Sequence, residues 1–241
     1  MNLLILHPTD FSDPQLPPDV VTLCDRRARH LLTVNGVTVG DQVRTGLLNG
    51  QVGEAEVVAC DNTSVQLQVR LHSQPPPPLP LHLIVALPRP KMVKRILQTI
   101  ATMGVKQLTF INSYRVEKSY WQSPWLQEHQ IREQLLLGLE QGVDTLLPEV
   151  RLVKRFKPFV EDELPHLCKG RRALLAHPRN ALPCPPAAQQ DTLLVIGPEG
   201  GFIEYEVNKL TDAGCAPIHL GPRILRVETA VPVLLAKLFP I

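Results

Sequence analysis

TLLVIGPEGGFIEYEVNKLTDAGCAPIHLGPRILRVETAVPVLLAKL, residues 192–238, is the stretch around which the chain is organised. An apolar run, Leu193 to Ile196, stops abruptly at Gly197-Pro198-Glu199-Gly200-Gly201. A short helical pattern follows, then a second apolar segment and a second loop, Gly221-Pro222-Arg223. This alternation of strand, loop and helix predicts an α/β fold. It places two glycine-bearing turns at the C-terminal ends of neighbouring strands, where open α/β sheets bind small ligands.

The first loop offers backbone amides with little side-chain obstruction. It lacks the G-K-[ST] of a phosphate-binding P-loop, and it is not G-x-G-x-x-G. Glu199, with Glu204 and Glu206 one turn on, makes phosphate an unattractive ligand. These acids suit a helix N-terminus, and they suit a neutral or positively charged ligand, such as a nucleoside with a cationic centre. In the second loop, Arg226 can stabilise a developing anion beside an apolar site. The alternative for Arg226 and Glu228 is a structural ion pair or a helix cap. Glu228 or Thr229 is expected to start the last helix, with Pro232 inside its first turn. That helix is apolar nearly all round, so it belongs in the core or against a second subunit.

Outward from this stretch, the chain divides. Residues 1–72 read as β: Val34–Val39, Gln42–Leu47, Gly53–Val58 and Val65–Leu71 are short, β-branched segments separated by Asn35-Gly36, Asn49-Gly50 and Asp61-Asn62. A short helix over Asp25–Leu32 precedes them. Such spacing suggests a small barrel. The SQPPPPLP run at 73–80 is a stiff extended spacer, and 81–241 form the second domain. There, Leu81–Leu87 is a buried strand, Lys91–Met103 a helix and Val105–Ile111 a strand. A loop with Arg115 and Lys118 follows, then a helix from Pro124 to Gln141. Glu149–Val153 and Arg172–Ala176 read as strands, the latter ending in His177-Pro178.

The chain has 241 residues, net charge +2, 44% apolar and 20% charged residues. No run is long and apolar enough for a membrane span, and the N-terminus lacks a secretory pattern. The five cysteines form no C-x-x-C pair, which argues for reduced thiols in a cytoplasmic protein and against a metal site. Any polyanion must be held by local patches: Arg26, Arg27, Arg29 and His30; Arg151, Lys154, Arg155 and Lys157; Lys169, Arg171 and Arg172. Each is alternatively an ordinary solvated face. Lys91, Lys94 and Arg95 lie near a helix N-terminus, where cations oppose the macrodipole and so point to a ligand, or else form a snorkelling solvated face; Arg89 joins Lys91 and Lys94 as a candidate RNA contact. Both tryptophans, with Tyr114 and Tyr120, lie in the Arg115–Lys118 region; they read as packing residues, or as stacking partners for RNA.

IGPEGGF at 196–202 and LGPRILRVETA at 220–230 resemble the two signature loops of the RsmE family. DRRARHLLTVNGVTVG at 25–40, LPRPKMVKRILQTIATMGV at 87–105, Arg115-Val116-Glu117-Lys118-Ser119 and GLEQGVDTLLP at 138–148 fall in the family's order. The family departs from this chain at Asn35-Gly36, Thr102-Met103 and Gly142-Val143-Asp144. The resemblance implies S-adenosylmethionine-dependent methylation of N3 of a uridine in 16S rRNA of the small ribosomal subunit. It also implies a PUA-like β-barrel, a SPOUT-type domain with a trefoil knot, and a homodimer. The methyl donor would lie against Ala176, His177 and Pro178; against Ile196, Gly197, Pro198, Gly200 and Gly201; and against Leu220, Gly221, Ile224 and Leu225. Arg226 would stabilise the uracil imide anion, with Glu199 and Glu228 accepting its proton or orienting the arginine. The alternatives are a SPOUT enzyme acting on another RNA site or atom, and a non-catalytic rRNA-binding assembly factor.

Overall fold

The structure is a computed structural model and describes residues 2–240. The chain forms two compact units, Met1–Pro77 with Leu136–Leu147, and Pro78–Leu135 with Pro148–Ile241. The first unit therefore takes in 136–147, a segment that the sequence reading left in the second domain. Backbone bonds explain the grouping: the Asn2 and Leu3 N–H groups donate to the Glu140 carbonyl at 3.2 and 3.0 Å, and the Asn49 N–H donates to that of Thr145 at 2.8 Å.

The first unit holds β1 (Leu4–Leu6), β2 (Val20–Leu23), α1 (Arg26–His30), β3 (Gln42–Leu47), β4 (Val52–Cys60) and β5 (Val65–Ser73). The sheet order is β1-β3-β4-β5-β2. β1 pairs with β3 in parallel and the other pairs are antiparallel. Alternate residues of β5 (Val65, Leu67, Val69) enter a core with Leu4, Leu6, Val21 and Val57, the period of two expected of a half-buried strand.

The strand expected at Val34–Val39 is absent. Instead, α1 runs into a π-helical turn, Leu31–Asn35, closed by Gly36 at φ 64°. Asn35-Gly36 thus ends a helix and does not make a hairpin. Val34 and Val39 are exposed, so their β-branched character has no buried face to serve.

The second unit contains β6 (Leu81–Ala86), α2 (Pro90–Thr102), β7 (Gln107–Ile111), α3 (Glu128–Gly142, whose last turns join the first unit), β8 (Glu149–Val153), α4 (Phe156–Pro158), α5 (Leu164–Cys168), β9 (Arg172–Ala176), β10 (Leu182–Pro183), β11 (Thr192–Ile196), α6 (Glu204–Asp212), β12 (Ala216–His219) and α7 (Val227–Leu238). The order is β10-β12-β9-β11-β6-β7-β8, with all pairs parallel. Every residue of β6 and β11 is buried, as befits central strands of a parallel sheet covered on both faces.

α7 begins after Arg226, so Pro232 lies in its second turn and not its first. Its missing N–H withdraws the ordinary i+4 donor from the Glu228 carbonyl. Val231, Leu234, Leu235 and Leu238 are buried, while Val233 is 39% exposed.

Candidate functional site

Strand register builds the site. Ala176, the last residue of β9, pairs with Ile196, the last of β11, and with Ile218 near the end of β12. Ile196 in turn pairs with Val85 of β6. The three predicted loops, 176–178, 196–201 and 220–225, therefore leave one edge of the sheet side by side. Parallel strands make this unavoidable, because their C-terminal ends all point the same way.

Each loop is shaped by its sequence. Pro198 and Gly201 close a tight turn, the Gly201 N–H donating to the Pro198 carbonyl at 2.8 Å. Gly201 sits at φ 72° and Gly221 at φ 110°, a region that L side chains rarely occupy. The Gly221 N–H donates to His219 Nδ1 at 3.0 Å. Ile196, Gly197 and Pro198 are buried; Ala176, His177, Leu220 and Leu225 are half-buried; Pro178 and Gly200 are more open. Ile224 is 82% exposed, an apolar side chain left at the rim. Burial, and then the Arg179 guanidinium, hold the His177 imidazole below its ordinary value, so it is neutral at pH 7.

The glycine loop is anchored to its neighbours by charge. The Glu199 carboxylate accepts the Arg89 backbone N–H at 3.0 Å, at the position that caps α2. An anion at a helix N-terminus is favourable. From the other side, the Arg115 guanidinium donates to the Gly200 carbonyl, and a Cβ on Gly200 would stand 2.9 Å from the Arg115 side chain.

Arg226 and Glu228 do not meet as an ion pair among the described residues. Arg226 is exposed, and its carbonyl accepts the first α7 bonds, from Thr229 at 3.0 Å and Ala230 at 2.7 Å. Glu228 is half-buried and lines a surface cavity of about 600 Å³ with Arg95, Gln98, Thr102 and Thr229.

The basic residues separate. Arg29 is exposed, and Arg26 pairs with Glu140 at 2.6 Å while staying half exposed. Arg27 leaves the RNA-facing set: it is 7% exposed, donating to Asp10 at 2.6 Å, to Asp25 at 2.8 Å and to the Ile5 carbonyl at 2.9 Å. In the second unit Arg89, Lys91, Arg115 and Lys118 are exposed. Lys94 stands 4.1 Å over the Trp125 ring. The other two patches are tied down in part: Arg151 to Glu163 at 2.8 Å, Arg171 to Asp191 at 3.0 Å, and Arg172 to Thr192 at 3.2 Å, while Lys154, Arg155 and Lys169 are exposed.

A family model described as an RNA methyltransferase domain matches residues 75–238. The chain belongs to the RNA methyltransferase family, in its RsmE group. It is 24% identical over 237 residues to ribosomal RNA small subunit methyltransferase E 1 of Borreliella burgdorferi, covering 95% of this chain and 94% of that one. It is 27% identical over 216 residues to ribosomal RNA small subunit methyltransferase E of Treponema pallidum, covering 88% and 81%. The fold matches that of ribosomal RNA small subunit methyltransferase E from Neisseria gonorrhoeae, solved bound to S-adenosyl methionine, with a TM-score of 0.71 at 20% identity over 98% and 95% of the chains.

Two residues named in the sequence only as a helix-start acid and a packing or stacking ring take more specific places. Glu206, 3% exposed, accepts the Tyr114 N–H at 2.7 Å and the Ile203 N–H at 3.0 Å. A glutamate three residues after a helix start is half of a capping box, and that spacing was its signal. Tyr114 is 79% exposed, unlike Trp121, whose indole donates to Asn112 at 2.9 Å. No sequence pattern separates the two rings.

Proposed function

We propose that this chain methylates N3 of a uridine in 16S rRNA of the small ribosomal subunit, using S-adenosylmethionine. The observation that carries the reading is the register of Ala176 with Ile196 and Ile218, which gathers three ligand loops on one edge in a member of the RsmE group. The residues fit that donor. Ala176 and Ile196, the last residues of β9 and β11, are apolar, His177 is neutral, and the Glu199 and Glu206 carboxylates are committed to backbone N–H groups at Arg89, Tyr114 and Ile203. When bound, S-adenosylmethionine supplies a methyl group activated on a positive sulfur. Ala176 to Pro178, Ile196 to Gly201, and Leu220, Gly221, Ile224 and Leu225 would hold it.

The chain's own groups handle the uracil. Its N3 carries a weakly acidic proton and attacks poorly until that proton is lost. Arg226 is assigned to the imide anion, an exposed guanidinium with no carboxylate partner among the described residues to neutralise it. Glu228 is assigned the proton. Glu199 is assigned the position of the glycine loop, because one of its oxygens already holds the Arg89 N–H. Arg89, Lys91, Lys94, Arg115 and Lys118 on one unit, and Arg26 and Arg29 on the other, would contact phosphates and so set orientation.

The same reading makes the first unit a PUA-like barrel and the second a trefoil-knotted SPOUT domain. It makes the protein a cytoplasmic homodimer, which the exposed Val233 of the apolar α7 supports. No helix among the described residues is long and apolar enough to cross a membrane.

The test uses purified protein, methyl-labelled donor and unmodified small subunits. Label recovered as N3-methyluridine is expected. Label on another atom would move the chain to a different RNA site, and no label in rRNA would leave an assembly factor without catalysis.

A further inference from the structure

We propose that Cys168 and Cys215 form a peroxide-reactive dithiol, a modification site that closes to an intramolecular disulfide. Their sulfurs lie 3.8 Å apart, although 47 residues separate them in the chain. Each cysteine sits where a helix connects to a strand. Cys168 ends α5, and its carbonyl accepts the Arg171 N–H at 3.1 Å; Cys215 precedes β12, its N–H fixed to the Leu210 carbonyl at 3.0 Å. Gly214, at φ 110°, packs against Cys168: a Cβ there would stand in ordinary contact with the Cys168 Cβ at 3.5 Å. A disulfide needs the sulfurs at about 2 Å, so side-chain rotation supplies most of the closure.

The two thiols are unequal. Cys168 is half-buried and within reach of a small oxidant, whereas Cys215 is 1% exposed. The hydrogen bond shared with Cys215, and secondarily the Arg171 guanidinium, hold the Cys168 thiol below its ordinary value, against the effect of burial. The same hydrogen bond and burial push Cys215 up. Cys168 is therefore the attacking sulfur, since the thiolate is the nucleophile, and Cys215 the resolving one.

The chemistry balances. The Cys168 thiolate attacks one oxygen of a hydroperoxide, the O–O bond breaks and hydroxide leaves, giving a sulfenic acid. The Cys215 sulfur then attacks the Cys168 sulfur, the S–O bond breaks, and the Cys215 proton departs with the oxygen as water. Two thiols lose two electrons and the peroxide is reduced. Cys24, Cys60 and Cys184 are also free thiols, and none of them has a sulfur neighbour of this kind among the described residues.

The experiment titrates thiols in the denatured full-length protein before and after brief treatment with hydrogen peroxide. Five are expected to fall to three, with a peptide pair joined through Cys168 and Cys215 in the monomer, and dithiothreitol should restore five. In Cys215→Ser the sulfenic acid should persist on Cys168 and be trapped by dimedone. In Cys168→Ser the remaining four thiols should survive the same treatment. Retention of all five thiols in the wild type overturns the proposal. So does oxidation of Cys24, Cys60 or Cys184 while Cys168 and Cys215 still alkylate.

Discussion

The buried Glu206 carboxylate holds the Tyr114 backbone N–H at 2.7 Å across 92 residues of sequence. Its other oxygen holds the Ile203 N–H, so one side chain fixes both the loop after β7 and the start of α6. Glu206→Ala leaves two donors without partners, each unsatisfied group costing about 1–3 kcal/mol. A loss of roughly 2–6 kcal/mol in urea unfolding of the whole chain is expected. A loss below half a kcal/mol would show that water replaces the carboxylate.

Glu199 and Glu228 should separate kinetically. Glu199→Gln keeps an acceptor for Arg89 but loses the anion at the helix start; donor affinity should weaken about threefold to tenfold, with turnover little changed. Glu228→Gln should depress turnover at neutral pH and recover partly as the pH rises, because solvent base then deprotonates N3. Equal effects of both changes on turnover would undo the division of roles.

Arg226→Ala should cut turnover about 100- to 1,000-fold, the range for removing one donor to a developing anion. Calorimetric affinity for the methyl donor should stay within about threefold of wild type. Surviving activity would remove Arg226 from the reacting edge.

The Arg27 network should govern acid stability of the first unit. Burial pushes Asp10 up, but the Arg27 hydrogen bonds and the His7 N–H more than offset it and hold the carboxyl below its ordinary value. A depressed carboxyl contributes stability that is complete above its unfolded value, about 3.9, and is lost as the pH falls through the folded one. Arg27→Met should destabilise by about 3–5 kcal/mol, since it leaves the largely buried Asp10 carboxylate unpaired. The double variant with Asp10→Asn should regain part of that loss in thermal unfolding.

His82 supplies a second pH signature, at higher pH. It is 8% exposed, and its Nε2 lies 2.9 Å from Thr109 Oγ1. Burial, then Arg171 and Arg151, hold its imidazole down to about 4. A depressed histidine stabilises fully above its unfolded value, about 6.5, and loses that contribution as the pH falls from there towards 4. Across this window the wild type should lose up to roughly 3 kcal/mol, and His82→Gln should lose much less. Denaturant midpoints at pH 7.5 and 5 decide it.

Continuous apolar runs ended by glycine or proline are legible in the sequence alone. β9 lies where Arg172–Ala176 puts it and β11 covers the Leu193–Ile196 run with Thr192 added, and that is enough to bring the loops together. β1 and β2 were not read, because three- and four-residue strands carry too few side chains for a period. Val34–Val39 misled because β-branching reports a preference, and here no partner strand exists to satisfy it. The site's internal bonds were out of reach for a different reason. Arg89 and Glu199 are 110 residues apart, and their meeting depends on β6 lying beside β11, which no local pattern encodes. Arg27 illustrates the same limit: next to Arg26 and Arg29 it reads as one of a cationic group, yet helical spacing turns it inward.

The return of 136–147 to the first unit bears on the order in which the chain is made. Strands β1 to β5 leave the ribosome first, yet the carbonyls of Glu140 and Thr145 that receive Asn2, Leu3 and Asn49 are synthesised only after β6, α2 and β7. An N-terminal fragment ending at Pro77 would leave those donors, and the Arg26 partner at Glu140, unfulfilled. During translation the first unit must wait, partly assembled, while the opening strands of the second emerge.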